Sequence, residues 1–259
     1  MVELLSVRDV GKTFGGLKAL DGVSFGLAKG EVLGLVGPNG SGKSTMINVL
    51  SGVYRPDGGD VRLDGRSLVG AKPSAIAAAG LSRTFQNLQI FGGLSVRENV
   101  LVGRDCRLRS GMLGGVFGLG GSLREEREAK SLAADLLEKV GLARFVDAPP
   151  SMLSYGQRRL LEVARALAAD PKVLMLDEPC AGQSQAEADA LAVLIRALAK
   201  TGIAVIVIEH NMRFVMNLVD RIVALNFGRK IAEGTPEAIR GDEAVIEAYL
   251  GRRGHAERR

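Results

Sequence analysis

Three stretches of the chain are apolar without interruption: Val32 to Val36 (VLGLV), Val173 to Leu176 (VLML) and Ala204 to Ile208 (AVIVI). A strand with one wet face alternates apolar and polar residues. A continuous run suits a strand covered on both faces, as in a parallel sheet. Residues 186 to 200, AEADALAVLIRALAK, are apolar at helical spacing and stop at Thr201-Gly202. Strand, helix and strand in that order make a βαβ unit. Nearer the start, VELLSVRDV and VRLDG read as strands of a smaller antiparallel layer, with Asp64-Gly65 as a turn.

The middle of the chain has a different texture. Residues 97 to 170 carry little strand signal and several helical stretches, notably REEREAKSLAADLLEKVGL, closed by Gly141. Before it, SGMLGGVFGLGGS (110 to 122) is glycine-rich and apolar, and reads as a flexible surface connection. The segment from Gly251, GRRGHAERR, reads as a basic, disordered tail.

Composition narrows this little. A chain of 259 residues can bury a substantial core, as one domain or one domain with an inserted sub-domain. The net charge of +5 is spread along the chain, which favours an ordinary solvated surface over nucleic-acid binding. Cys106 and Cys180 lie far apart and form no metal-ligand pair, so free thiols in a reducing compartment are expected. MVELLSVRDV carries charges early and does not read as a signal peptide. No run approaches the roughly 20 apolar residues that span a bilayer. The expectation is a soluble chain able to dock on a membrane protein.

Chemistry enters at GPNGSGKST, residues 37 to 45, which fits G-x-x-x-x-G-K-[ST]. Glycines let such a loop curl until its N–H groups point inward at phosphate oxygens. Lys43 would reach the β- and γ-phosphates, and the Ser44 hydroxyl would help to hold Mg²⁺. The following helix, from about Gly42 to Leu50, would present its positive end to the anion. The loop follows a buried strand and opens a helix, as the chemistry requires. A second feature is VLMLDEP, which sets Asp177 and Glu178 at the end of another buried strand, where open α/β sheets gather their ligands. Asp177 would complete the Mg²⁺ shell, through water. Glu178, expected to face the other way along the strand, would activate an attacking water.

The phosphate loop, LSYGQ (153 to 157) and LMLDEP, in that order, resemble the ATP-binding-cassette (ABC) ATPases over roughly residues 4 to 250. The resemblance implies an α/β fold, with a P-loop NTPase (RecA-like) core, an N-terminal antiparallel β layer and an inserted helical sub-domain. It implies one domain over 1–250, with the core at about 1–90 and 165–250 and the helical part at about 91–164. ATP would be bound by Gly37, Pro38, Asn39, Gly40, Ser41, Gly42, Lys43, Ser44 and Thr45, with Phe14 stacking on adenine; a core phenylalanine is the alternative for Phe14. Glu178, His210 (in VIEHN), Lys43 and Gln86 (in RTFQN) would be catalytic. Ser44, Gln86 and Asp177 would serve Mg²⁺.

Two such cassettes pack head to tail, so Ser154, Gly156 and Gln157 would face the ATP of a partner. Two departures stand out. Tyr155 replaces the first glycine of the usual LSGGQ, and is tolerable only where neither a glycine-only backbone nor close approach is needed. Gln183 and Ser184 stand where the family's crossing loop commonly ends in Leu-Asp, removing a charged contact with the partner.

The finer similarity is to one of the two ATPases of branched-chain amino acid importers, carried by GLSRTFQNLQIFGGLSVRENVLVG, LSYGQ, EPCAG, IEHNMRFVM and VIEAYLG. It implies an ATPase at the cytoplasmic face of the cell membrane. Its partners would be transmembrane permease subunits, a second and different ABC ATPase and, indirectly, a substrate-binding protein, with no nucleic acid. A urea or amide importer, a non-transport ABC ATPase and a non-hydrolysing nucleotide-binding subunit are the alternatives.

Overall fold

The computed structural model describes residues 3–84, 88–104 and 123–250. Two sheets organise them. The smaller is antiparallel and contains β1 (Glu3–Phe14), β2 (Leu17–Ala28), β4 (Gly58–Leu63) and β5 (Arg66–Ser67) in the order β2-β1-β4-β5. The larger contains β3 (Val32–Val36), β6 (Leu81–Arg83), β7 (Val173–Asp177), β8 (Ala204–Ile208), β9 (Arg221–Asn226) and β10 (Arg229–Gly234) in the order β10-β9-β3-β8-β7-β6. All its pairings are parallel except β9 with β10.

The continuous apolar runs have the expected cause. Every residue of β3, β7 and β8 is buried. Alternate side chains feed two cores. Leu33, Leu35, Met175 and Ile206 meet the small sheet and α1 (Lys43–Leu50) through Leu5, Val23, Met46 and Ile47. Val36, Leu176 and Val207 face the opposite core. There they join Leu191 and Ile195 of α6 (Gln185–Lys200) and Val215 of α7 (Met212–Leu218).

That second core also takes in the helical elements. α3 (Val96–Val102), α4 (Leu123–Lys139) and α5 (Tyr155–Ala168) pack on one another and contribute Val100, Leu137 and Leu161. Helical structure therefore shares a core with the sheet, and α5 runs through position 164 to Ala168 before β7 begins. Gly141, with φ 75°, ends the α4 stretch as read from sequence. The remaining helices are α2 (Pro73–Ala79), α8 (Pro236–Arg240) and α9 (Glu243–Leu250). Ion pairs of Arg221 with Glu31 (2.8 Å) and Arg229 with Asp21 (2.6 Å) tie the large sheet to the β2 side. Among the described residues no helix is long and apolar enough to cross a membrane. Cys106, the stretch 110–122 and the tail from 251 lie outside the described residues.

Candidate functional site

The chain leaves β3 at Val36 and enters α1 at Lys43, so GPNGSGKST fills the gap between strand and helix. Backbone proximity dictates its glycines. Gly37 has φ 150°, and a Cβ there would lie 2.2 Å from the Leu225 carbonyl oxygen. Gly42 has φ 108°, and its Cβ would lie 2.6 Å from that of Ala19. No side chain fits at either position. Within the curl the Lys43 ammonium, almost wholly buried, donates to the carbonyls of Gly37 (2.7 Å) and Pro38 (2.9 Å). Burial lowers its pKa, while the charges of Glu178 and Asp177 pull it back up. Ser41 is buried and its hydroxyl has no hydrogen-bond partner among the described residues. An unsatisfied buried polar group costs about 1–3 kcal/mol, so this loop has room in its bonding for a phosphate oxygen. Asn39, Gly40 and Ser44 are exposed; Pro38 and Thr45 are half-buried.

Parallel pairing brings the other chemistry alongside. β8 lies between β3 and β7, with Leu35 and Asp177 both in register with Ile208. The strands therefore end together, and their carboxyl ends present the phosphate loop, the Asp177-Glu178 pair and Glu209-His210 side by side. Asp177 is buried, and its Oδ2 lies 3.6 Å from Nη2 of Arg83. Burial pushes its pKa up; the Arg83 charge opposes this and Glu178 adds to it.

Glu178 differs from expectation. β7 ends at Asp177, and Glu178 adopts φ 47°, with its N–H donating to the Ile208 carbonyl at 2.9 Å. A left-handed turn, and not strand alternation, therefore directs this side chain. Left-handed backbone is costly for a non-glycine residue and concentrates at functional sites. Nδ1 of His210 lies 3.8 Å from Oε1 of Glu178.

Sequence reasoning passed over Glu209, which is 1% exposed. Its Oε1 accepts the Cys180 N–H at 2.8 Å, and its Oε2 accepts those of His210 (3.2 Å) and Asn211 (3.4 Å). One carboxylate thereby ties the loop after Glu178 to the loop holding His210. Its only sequence signal was a charge directly after five apolar strand residues.

Phe14 is no core residue. It is 41% exposed, meets Tyr54 edge-on with centroids 5.1 Å apart, and has the Lys12 ammonium 5.4 Å from its ring centre. Gln86 lies outside the described residues.

LSYGQ starts α5. The Ser154 hydroxyl accepts the Gln157 N–H at 3.2 Å, and the Gln157 side-chain oxygen accepts the Ser154 N–H at 2.9 Å. This reciprocal cap satisfies two helix-end donors. A Cβ on Gly156 would lie 2.4 Å from Oε1 of Glu187, the end of a side chain from α6 that would have to move aside. Tyr155 has no positive φ, so its backbone conformation does not demand glycine; its hydroxyl accepts from Arg159 at 3.2 Å. Ser184, where the family has Asp, forms the same kind of cap with Glu187 at the start of α6. The buried side-chain oxygen of Gln183 has no partner among the described residues.

For Mg²⁺ the residues fit a shared site. Among the described residues no group of three or more His, Cys, Asp or Glu could hold an ion. Mg²⁺ usually takes one or two protein groups beside substrate phosphates and water, and Asp177 and Ser44 are of the right oxygen type.

The family model described as "ABC transporter" matches residues 20–181, spanning the phosphate loop, LSYGQ and Asp177-Glu178. This chain belongs to the ABC transporter ATP-binding family. A second model, "Branched-chain amino acid ATP-binding cassette transporter", matches residues 229–255 of the cassette. The high-affinity branched-chain amino acid transport ATP-binding protein BraF of Pseudomonas aeruginosa is 43% identical over 249 residues, covering 96% of this cassette and 98% of the relative. LivG of Escherichia coli, with the same description, is 41% identical at the same coverage. Among solved structures, a nucleotide-free ATP-binding cassette from an ABC transporter aligns with TM-score 0.84 and 35% identity, over 96% of this chain and 100% of the other. An ADP-conformation cassette aligns with TM-score 0.85 and 34% identity, over 97% and 100%.

Proposed function

We propose that this cassette is the ATP-hydrolysing subunit of an ABC importer and powers uptake of branched-chain or related amino acids through a membrane permease. The observation that carries the ATPase reading is the meeting of the phosphate loop, Asp177, Glu178 and His210 at neighbouring strand ends. The branched-chain cargo is supported by the names of relatives above 40% identity and by the match over residues 229–255.

In this mechanism the loop's N–H groups and Lys43 hold the ATP phosphates, and Phe14 contacts the base. Asp177, Ser44 and Gln86 would hold Mg²⁺, which would supply positive charge against that of the β- and γ-phosphates. Glu178 takes the proton of a water whose oxygen bonds to the γ-phosphorus, while the bond from that phosphorus to the β–γ bridging oxygen breaks. ADP and inorganic phosphate result. His210, held by Glu209, contacts the γ-phosphate. Catalysis rests on positioning and charge, with no covalent intermediate on the protein. Ser154, Gly156 and Gln157 complete the site of a second, different cassette. Closure on ATP and opening after hydrolysis then drive the permease from the cytoplasmic membrane face.

The test is co-purification from native membranes of tagged Glu178→Gln with ATP and Mg²⁺. The variant is expected to retain nucleotide and to bring down two permease subunits and a different cassette. Recovery of the chain alone, or with ribosomal proteins, would sink the importer reading.

A further inference from the structure

The mechanism leaves one contact of the phosphate loop unused. The Gly37 N–H donates to the hydroxyl of Tyr249, on α9, at 2.9 Å. The two residues are 212 apart in sequence. Gly37 opens the loop, and its carbonyl accepts from Lys43 at 2.7 Å. Both polar backbone atoms of the loop's first residue are therefore held, one by the lysine and one by a C-terminal helix. Beside this bond, a cavity of about 580 Å³ separates Asn39 and Gly40 from Ala244 and Ala248. The outer side of the loop thus has open space to shift into, and the hydroxyl restrains it at its origin. α9 has its own apolar anchor in buried Val245, so docking of the helix does not depend on the hydroxyl.

We infer that Tyr249 is a positioning residue, by which the C-terminal segment fixes the phosphate loop in the shape that binds ATP. The inference rests on the ATP-site reading above and gives a task to the segment matched at residues 229–255. Tyr249 touches neither phosphate nor base in this scheme. Its hydroxyl serves by keeping the Gly37 N–H engaged and the loop's curl in register. A loop released at Gly37 must be reordered on each binding event, which lowers affinity for nucleotide and leaves the chemical step intact.

The test is Tyr249→Phe in the full chain, titrated with a fluorescent N-methylanthraniloyl ATP. The dissociation constant is expected to rise about fivefold, the weight of one lost hydrogen bond. KM for ATP should rise in parallel, with kcat at saturation within about twofold of wild type. Hydrogen exchange in the peptide spanning Gly37 should quicken as well. Unchanged affinity in a folded variant overturns the inference, and so does failure to fold, which would make the hydroxyl a general structural support. Wild type and Lys43→Ala are titrated alongside. If wild type does not bind the probe, or Lys43→Ala binds it equally, the nucleotide-site reading itself fails.

Discussion

The Glu209 carboxylate receives three backbone N–H groups from two loops whose residues are about thirty positions apart in sequence. Such an acceptor, 1% exposed, is valuable because its absence strands the donors. It also fixes the separation between Glu178, which would take a proton from water, and His210, which would contact the γ-phosphate. Glu209→Ala is therefore expected to lower kcat for ATP hydrolysis at least tenfold while changing nucleotide affinity less than about threefold. Glu209→Gln keeps one acceptor oxygen and should recover part of the rate. Steady-state hydrolysis and ATP titration of both variants check this. An Ala variant with wild-type kcat would contradict the positioning role.

Helices α5 and α6 begin with the same device, a serine whose hydroxyl caps the helix and a Gln or Glu that reaches back. The resemblance implies different duties, since Ser154 would face a partner's nucleotide and Ser184 stands where the family commonly has an acid of the crossing loop. Removing either cap costs about 1 kcal/mol. In a chain of this size that lowers Tm by about 2–4 °C. Ser184→Ala should show that loss with nearly normal hydrolysis in the assembled transporter. Ser154→Ala should show a similar thermal loss together with a drop of at least tenfold in hydrolysis. Thermal melts and activity assays on both variants separate capping from contact with the partner's ATP, and equal activities would remove Ser154 from that site.

Most elements around the site were legible because their signal is local. Continuous apolar runs gave β3, β7 and β8, and the glycine-lysine pattern gave the phosphate loop. β2 was passed over, since LKALDGVSFGLA interleaves glycines and pairs with β1 through several register shifts. The nearness of Gly156 to Glu187, thirty-one positions away in sequence, has no local signal either. Buried Glu162 was equally silent. It accepts the Gln89 N–H at 2.9 Å and lies between Arg159 and Arg165, so it ties α5 to the segment just after Gln86.

Across the entire chain, the parallel sheet turns separate motifs into one site. Val36, Asp177 and Ile208 end adjacent strands, so residues far apart in sequence converge at one edge. Local pattern and motif order identified these residues without their distances. The left-handed turn at Glu178, the Glu209 tie and the Tyr249 contact depend on tertiary distances that no spacing encodes. The smaller sheet and α1 close one face, and the helical elements share the core of the other. That shared core gives a physical route by which events at the strand ends can move α5 and the segment beside it.

In the proposed function these strand ends hydrolyse ATP for a transporter. The most direct test is ATP turnover by the purified complex with its permease in lipid vesicles, comparing wild type with Glu178→Gln. Wild type is expected to turn over ATP with Mg²⁺ and to accelerate when loaded substrate-binding protein is added. The variant should bind ATP as tightly and turn over at least about a hundredfold more slowly. Turnover in the variant close to that of wild type, or a wild-type complex that binds ATP without hydrolysing it, would show that these strand ends do not power transport by this chemistry.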